Sequence, residues 1–404
     1  MSYVSNITKD WKIVPFGMVV RRSQYGLSES GTETGTPYLK MSNIRDGKVV
    51  IDGADTLLVD EKTLEEYGLK EGDMVFNRTN SLDLVGKTGV YTGSASAVFA
   101  SYLVRFQLHA DKADSRFVTY WFASAGGSHR LRSLATPGVS QSNINPTTLR
   151  LGMMVPRPPL AEQHKIADIL TTWHDALEKL DGLIAAIERR KKGLTQHLLT
   201  GRKRVKGFDE PWQTVRLGDV LILTLRPTTK PQGNFLSAGI RSHGKGVFLK
   251  HDFASGDIAL DELFALKAGD LVVNITFAWE GAAAIVPPEA DGALLSHRFP
   301  TFTFSKNKAA VSFFRHYILT KRFVYDCGVA SPGGAGRNRV LSKSAFFDIE
   351  LVLPAFEEQQ RIGQILDAAA DELRLLRTQR VALDQQKRGL MQRLLTGKLR
   401  VPTT

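Results

Sequence analysis

The sequence has a single cysteine, Cys327, in 404 residues. That excludes an internal disulfide and a thiolate zinc cluster, and the residue reads as a small buried hydrophobe. No apolar run approaches the roughly 20 residues needed to span a bilayer. The polar opening, Met1 to Lys12, lacks the pattern of a signal peptide, so a cytoplasmic protein is expected. His-Glu-x-x-His is absent and the nine histidines are scattered, which leaves no expected metal site. Asn-Pro-Pro-Tyr and Asp-Pro-Pro-Tyr, used by amino-methyltransferases around a flipped base, are missing too; Asn145-Pro146-Thr147 is not one. Two near matches to a phosphate loop fail at required positions. Val85-Gly86-Lys87-Thr88 has Ser81 where glycine is needed, and Gly239 through Gly244-Lys245 is followed by Gly246 rather than Ser or Thr. Catalysis by this chain is therefore not expected.

Negative charge is also short: 41 Asp and Glu face 53 Lys and Arg, a net charge of +12. Such a surface favours a polyanion, because each phosphate paired by a cation releases counterions. Charge alone leaves open a basic protein with no nucleic-acid role. A 43% hydrophobic share supports folded cores, and the length suggests two or three domains.

What the sequence does have is an internal repeat. At an offset of about 196 residues, Pro158-Pro159-Leu160-Ala161-Glu162-Gln163 aligns with Pro354-Ala355-Phe356-Glu357-Glu358-Gln359, and the match runs without a gap to Val205 and Val401. About 20 of roughly 48 positions are identical, which chance does not produce. Each copy predicts a helix of about 40 residues, about 60 Å long. Ile166, Leu170, Trp173, Leu177, Leu180, Ile184, Ile187 and Leu194 form one apolar seam; Ile362, Leu366, Leu373, Leu376, Leu383, Leu390 and Leu394 form the other. Gly201 and Gly397 mark the ends. The simplest partner for each seam is the other helix, in an antiparallel coiled coil. Lys191 and Lys387 share one seam slot, where they either fix register or lie at a wet edge. Arg202-Lys203-Arg204, Lys398 and Arg400 follow the helix ends, where they either suit the dipole or reach phosphate.

The segments before each helix echo one another more faintly. Trp11 to Val19 matches Trp212 to Val220, and Leu69 to Asn77 matches Leu266 to Asn274. Strand patterns at Met74 to Phe76, Gly89 to Tyr91, Leu271 to Ile275 and Phe299 to Phe304, with helical stretches near Phe117 to Ala125 and Val311 to Tyr325, make each unit mixed α and β. The expected fold is α+β: a domain over 1–157, a spacer helix over 158–203, a second similar domain over 204–353, and a second helix and tail over 354–404.

This layout, with helix motifs at 158–201 and 354–397, resembles the specificity subunit of type I restriction-modification enzymes over nearly the whole chain. The second motif departs mildly, with Ala355 and Phe356 where the first has Pro159 and Leu160. The resemblance implies two target-recognition domains, each reading one half of an asymmetric bipartite DNA site, with the helices as a ruler for the unspecified spacer. It implies two methyltransferase subunits as partners, and restriction/translocase subunits where present. Adenine methylation with S-adenosylmethionine, and cleavage driven by ATP with Mg, would belong to those partners, with no cofactor bound by this chain. Two other readings remain: an enzyme acting alone on DNA, against which the missing catalytic motifs count, and a coiled-coil scaffold whose variable domains bind proteins.

For base reading, Arg suits guanine and Asn or Gln suits adenine through paired hydrogen bonds. The first domain offers Lys40, Asn43 and Arg45; Arg78, Asn80 and Lys87; and Ser140, Gln141 and Asn143 in the Ser140-Gln141-Ser142-Asn143 loop. The second offers Arg241, His243 and Lys245; Thr276 and Trp279; His297 and Arg298; and Arg337, Asn338 and Arg339 beside Gly333-Gly334-Ala335-Gly336, which permits close approach to phosphate.

Overall fold

The computed structural model describes residues 4–93, 95–138, 141–334 and 339–402. Two helices dominate it, Leu160–Leu198 and Phe356–Leu395. The chain divides into two compact units, 1–181 with 379–404, and 182–378. The ends of the long helices lie close to the expected segment boundaries, but the compact units divide inside the helices, so each unit owns part of both.

The two units share a core of four antiparallel strands in the same spatial order. In the first unit the order is Val20–Tyr25, Leu103–Leu108, Met74–Asn77, Thr88–Val90; in the second it is Leu221–Leu223, Thr301–Phe304, Leu271–Val273, Ala283–Ile285. Each unit also pairs its opening strand with the strand that leads into a long helix: Lys12–Pro15 with Met154–Arg157, and Gln213–Arg216 with Glu350–Leu353. Beyond this scaffold they differ. The first extends its sheet with Lys48–Val49 and Ile44–Arg45, whereas the second adds a separate five-stranded sheet from Pro227–Thr229 to Val247–Phe253. Aromatic side chains fill both cores, Phe16, Phe76, Phe106 and Phe122 in one and Phe302, Phe313, Phe314, Phe323 and Phe346 in the other. The stretch read as one helix over Val311 to Tyr325 is two, Val311–Tyr317 and Lys321–Val329, because the Thr320 hydroxyl caps the second by accepting from the Phe323 amide.

Every residue of the two predicted seams is buried or half-buried. In the first unit Ile166, Ala167 and Leu170, at the start of one helix, share a core with Leu394 and Leu395 at the end of the other. In the second unit Ile362 and Leu366 likewise meet Leu198 and Leu199. The helices therefore run antiparallel, and interhelical ion pairs (Arg380 with Asp181, Arg377 with Glu188) lie beside the seam. Both helices end on a left-handed glycine, Gly201 at φ 68° and Gly397 at φ 69°. The amide six residues on bonds back into the last turn, Lys203 to His197 O and Leu399 to Arg393 O, each at 3.1 Å.

The repeated Glu-Gln pair attaches each helix to its unit. Gln163 accepts from the Asp114 amide at 3.0 Å and donates to the carbonyls of Lys112 and Pro158 at 3.1 and 3.0 Å. Gln359 does the same with Ala310, Lys308 and Pro354, each at 2.9 Å. The carboxylate of Glu162, almost wholly buried, takes Arg400 through two hydrogen bonds of 2.8 and 3.0 Å, and Glu358 takes Arg204 at 2.9 and 2.8 Å. Each guanidinium also lies near a tryptophan, 5.8 Å from the Trp11 ring and 5.9 Å from the Trp212 ring. Arg204 and Arg400 are thus clasps within the fold. Burial pushes the Glu162 carboxyl up, but the Arg400 hydrogen bond and the Val401 amide outweigh it and hold the carboxyl below its ordinary value.

Lys387 occupies the seam half-buried, with Nζ 3.3 Å from Nδ1 of the buried His174. Burial pulls both groups below their ordinary values, and for His174 the charges on Lys387 and Lys48 add to it.

Two outcomes follow. Gln163→Ala leaves three backbone groups without partners and should cost about 3 kcal/mol, read as a lower denaturation midpoint. Lys387→Met removes a half-buried charge and should stabilise the fold by about 1 kcal/mol, while the His174 titration seen by NMR moves up toward its ordinary value.

Candidate nucleic-acid interface

In the first unit, the strand after Asn77 leaves the central sheet and joins a small sheet of its own, in the order Thr136–Pro137, Ser142–Asn143, Thr79–Asn80. This brings together side chains far apart in sequence. Arg78 lies 5.0 Å from the Tyr25 ring and donates to Asn143 Oδ1 at 3.4 Å. Asn80 reaches Met41 Sδ at 3.4 Å, which brings the 40–45 segment against the same surface. Gln141, Asn143 and Lys87 are exposed. Ser142 is buried, and Ser140 lies outside the described residues.

Within the 40–45 segment the three chosen residues part ways. Asn43 is 2% exposed; its Oδ1 accepts from the Lys40 amide at 2.9 Å and its Nδ2 donates to Val50 O at 3.0 Å. It staples a turn, which corrects its expected role as a base reader. Lys40 is paired with Asp55, whose hydrogen bond raises the lysine above its ordinary value. Arg45 is exposed, with Nε donating to Ser42 O at 3.1 Å.

The second unit repeats this construction. Leu341 N donates to Ile275 O at 2.9 Å, as Ile144 N donates to Arg78 O at 2.8 Å, so the same two segments cross at the same place. Around that crossing lie Thr276, Trp279, Arg298, Arg339 and His243. Arg298 donates to Thr276 Oγ1 at 3.4 Å, and Trp279 Nε1 donates to Thr276 O at 3.1 Å. His243 sits at φ 61° in a turn held by its amide on Glu280 O at 2.8 Å and by Gly244 N on Gly281 O at 3.0 Å. His243, Trp279 and Arg339 line one cavity of about 830 Å³. Arg241 lies 5.0 Å from the Phe248 ring, and Lys245 and His297 are exposed.

Arg339 also needs correction as a free reader. Its Nε and Nη2 donate to the carbonyls of Ser331 and Gly328 at 3.2 and 2.6 Å, and it lies 5.5 Å from the Trp279 ring. Two of its donors are already committed to the fold. Arg337 and Asn338 lie outside the described residues, as do Ala335 and Gly336.

Sequence reasoning missed Tyr25 and Met41 in the first unit, and Lys321, Tyr325 and Glu280 in the second. The last three line the cavity. One signal was legible: Tyr325 and Val329 stand four apart on a helix whose buried face is Phe323, Asp326 and Cys327. Burial pushes the Cys327 thiol up to about 12, so it is no nucleophile at neutral pH. Among the described residues no group of three or more His, Cys, Asp or Glu is placed to hold a metal.

Comparisons with known proteins agree on one family. A model described as the type I restriction modification DNA specificity domain matches twice, over residues 12–189 and 209–385. The putative MjaX specificity subunit of a type I restriction enzyme from Methanocaldococcus jannaschii is 24% identical, over 99% of this chain and 96% of that protein. The EcoKI specificity subunit from Escherichia coli K12 is 26% identical over 47% of this chain and 41% of its own length. The crystal structure of the type I S subunit from M. genitalium superposes with a TM-score of 0.61 at 14% identity, covering 96% of each chain. A second structure, from a study of type I complex assembly and conformational transition, gives 0.55 at 16% identity over 97% and 99%. With two matched copies spanning most of its length, the chain belongs to the type I restriction modification DNA specificity family.

Proposed function

We propose that this protein is the non-catalytic, sequence-reading subunit of a type I restriction-modification complex in the cytoplasm. Each unit reads one half of an asymmetric bipartite DNA site. The chain directs two adenine-N6 methyltransferase subunits, and restriction/translocase subunits where present, to that site. S-adenosylmethionine, ATP and Mg belong to those partners. The observation that carries this reading is one four-stranded scaffold built twice, each copy presenting a different set of polar side chains at the same crossing of segments. A shared frame with unlike surfaces is what two half-sites of different sequence require.

Methylome sequencing of a host with and without the gene should reveal one bipartite motif that depends on this chain. Replacing residues 1–157 with those of a relative should change one half of that motif and leave the other intact; loss of both halves would defeat the idea of independent readers. At finer grain, Arg78→Ala should weaken binding to the first half-site by about 1–3 kcal/mol with only a small drop in melting temperature from the lost Asn143 and Tyr25 contacts. Asn43→Ala should lower the melting temperature instead.

A further inference from the structure

The cavity of the second unit has an unusual rim. Leu319, Tyr325 and Val329 are 51%, 68% and 68% exposed, and all three border it. Tyr325 and Val329 are four apart on the Lys321–Val329 helix and so share a face. Exposed apolar side chains scattered singly need no explanation, but these three border one concavity and form a single apolar patch. The turn opposite is built to stay close. A side chain at Gly244 would come within 2.7 Å of Leu319, and one at Gly281 would meet Val324 at 3.1 Å.

The charges around this patch say what it takes. Lys321 and Arg339 supply positive charge, which suits a polyanion. Glu280 lines the same cavity and disfavours a phosphate there, while as an acceptor it tolerates an exocyclic amino group. An apolar rim beside Lys321, with Glu280 among the lining residues, fits the edge of a base pair flanked by its phosphates. Among base edges in the major groove, only thymine presents an apolar group, its C5-methyl. The corresponding helix of the first unit, Ala125–Leu134, exposes His129, Arg132 and Ser133 along with Ala125.

We propose that the second unit reads its half-site partly by apolar contact, seating a thymine methyl against Tyr325 and Val329, with Lys321 on a neighbouring phosphate. The first unit relies on the amides and guanidinium around Arg78, Asn80 and Asn143. This rests on the recognition role proposed above and adds the class of base that one unit selects.

The test uses the full chain with its methyltransferase subunits and duplexes of the motif found by methylome sequencing. Each thymine is replaced in turn by deoxyuridine, which removes only the methyl. One or two replacements in the second half-site should weaken binding about fourfold each, the equivalent of about 0.8 kcal/mol for one methyl. The variant Tyr325→Ala with Val329→Ser should bind thymine and uracil duplexes equally. Because both side chains are mostly exposed, the variant should keep the parent circular dichroism and melting temperature. A second half-site made only of G·C pairs overturns the proposal, as do uniform indifference to uracil there and discrimination retained by the variant. If the variant loses methyltransferase association while discriminating as before, the patch belongs to a protein partner and the proposal fails. In each of these cases preference for the intact motif over a scrambled duplex leaves the recognition role standing.

Discussion

Each long helix is fixed at its first turn by a carboxylate that has almost no access to water. Glu162 and Glu358 would be costly to bury alone, and each is matched by a two-pronged guanidinium from the segment that follows the other long helix. This matching makes the start of one helix and the end of the other a single joint. The neighbouring glutamines tie the same turn to the loop entering each unit's own helices. Within each unit the seam adds apolar burial beside a joint already located by these polar groups, so local register follows from the joint as well as from the stripe.

The long helices were legible because their signal is redundant: two copies, a sustained heptad-like stripe, and a glycine at each end in the left-handed conformation. The four-stranded scaffold was partly legible, since Met74 to Phe76 and Leu271 to Val273 are short apolar runs bounded by turn residues. The clasps were not. Arg204 and Arg400 follow helix ends, where a cation satisfies the dipole without any further partner, and Arg400 finds Glu162 across 238 positions of sequence. No local pattern carries that pairing.

Candidate readers sort by the same logic. Composition places Asn, Arg and Ser in loops, but whether a loop side chain turns outward depends on which backbone groups nearby lack partners. Asn43 turns inward because the Lys40 amide and Val50 carbonyl need it, and Arg339 because the carbonyls of Gly328 and Ser331 do. Arg78, half-buried, pairs with the exposed Asn143. Tyr325 and Lys321 escaped notice because their stretch reads as a single helix running from Val311, and only the Thr320 cap starts a new one that presents them beside the cavity.

The division of the chain also bears on synthesis. The second unit is one continuous stretch, 182–378, whereas the first needs both 1–181 and 379–404. On a ribosome the early strands of the first unit wait for the final segment before Thr8 can bond Thr396 and before Glu162 can take Arg400. The unit that holds the earlier residues therefore cannot complete its core until residues 379–404 join it, and until then Ile166 and Leu170 lack their packing against Leu394 and Leu395.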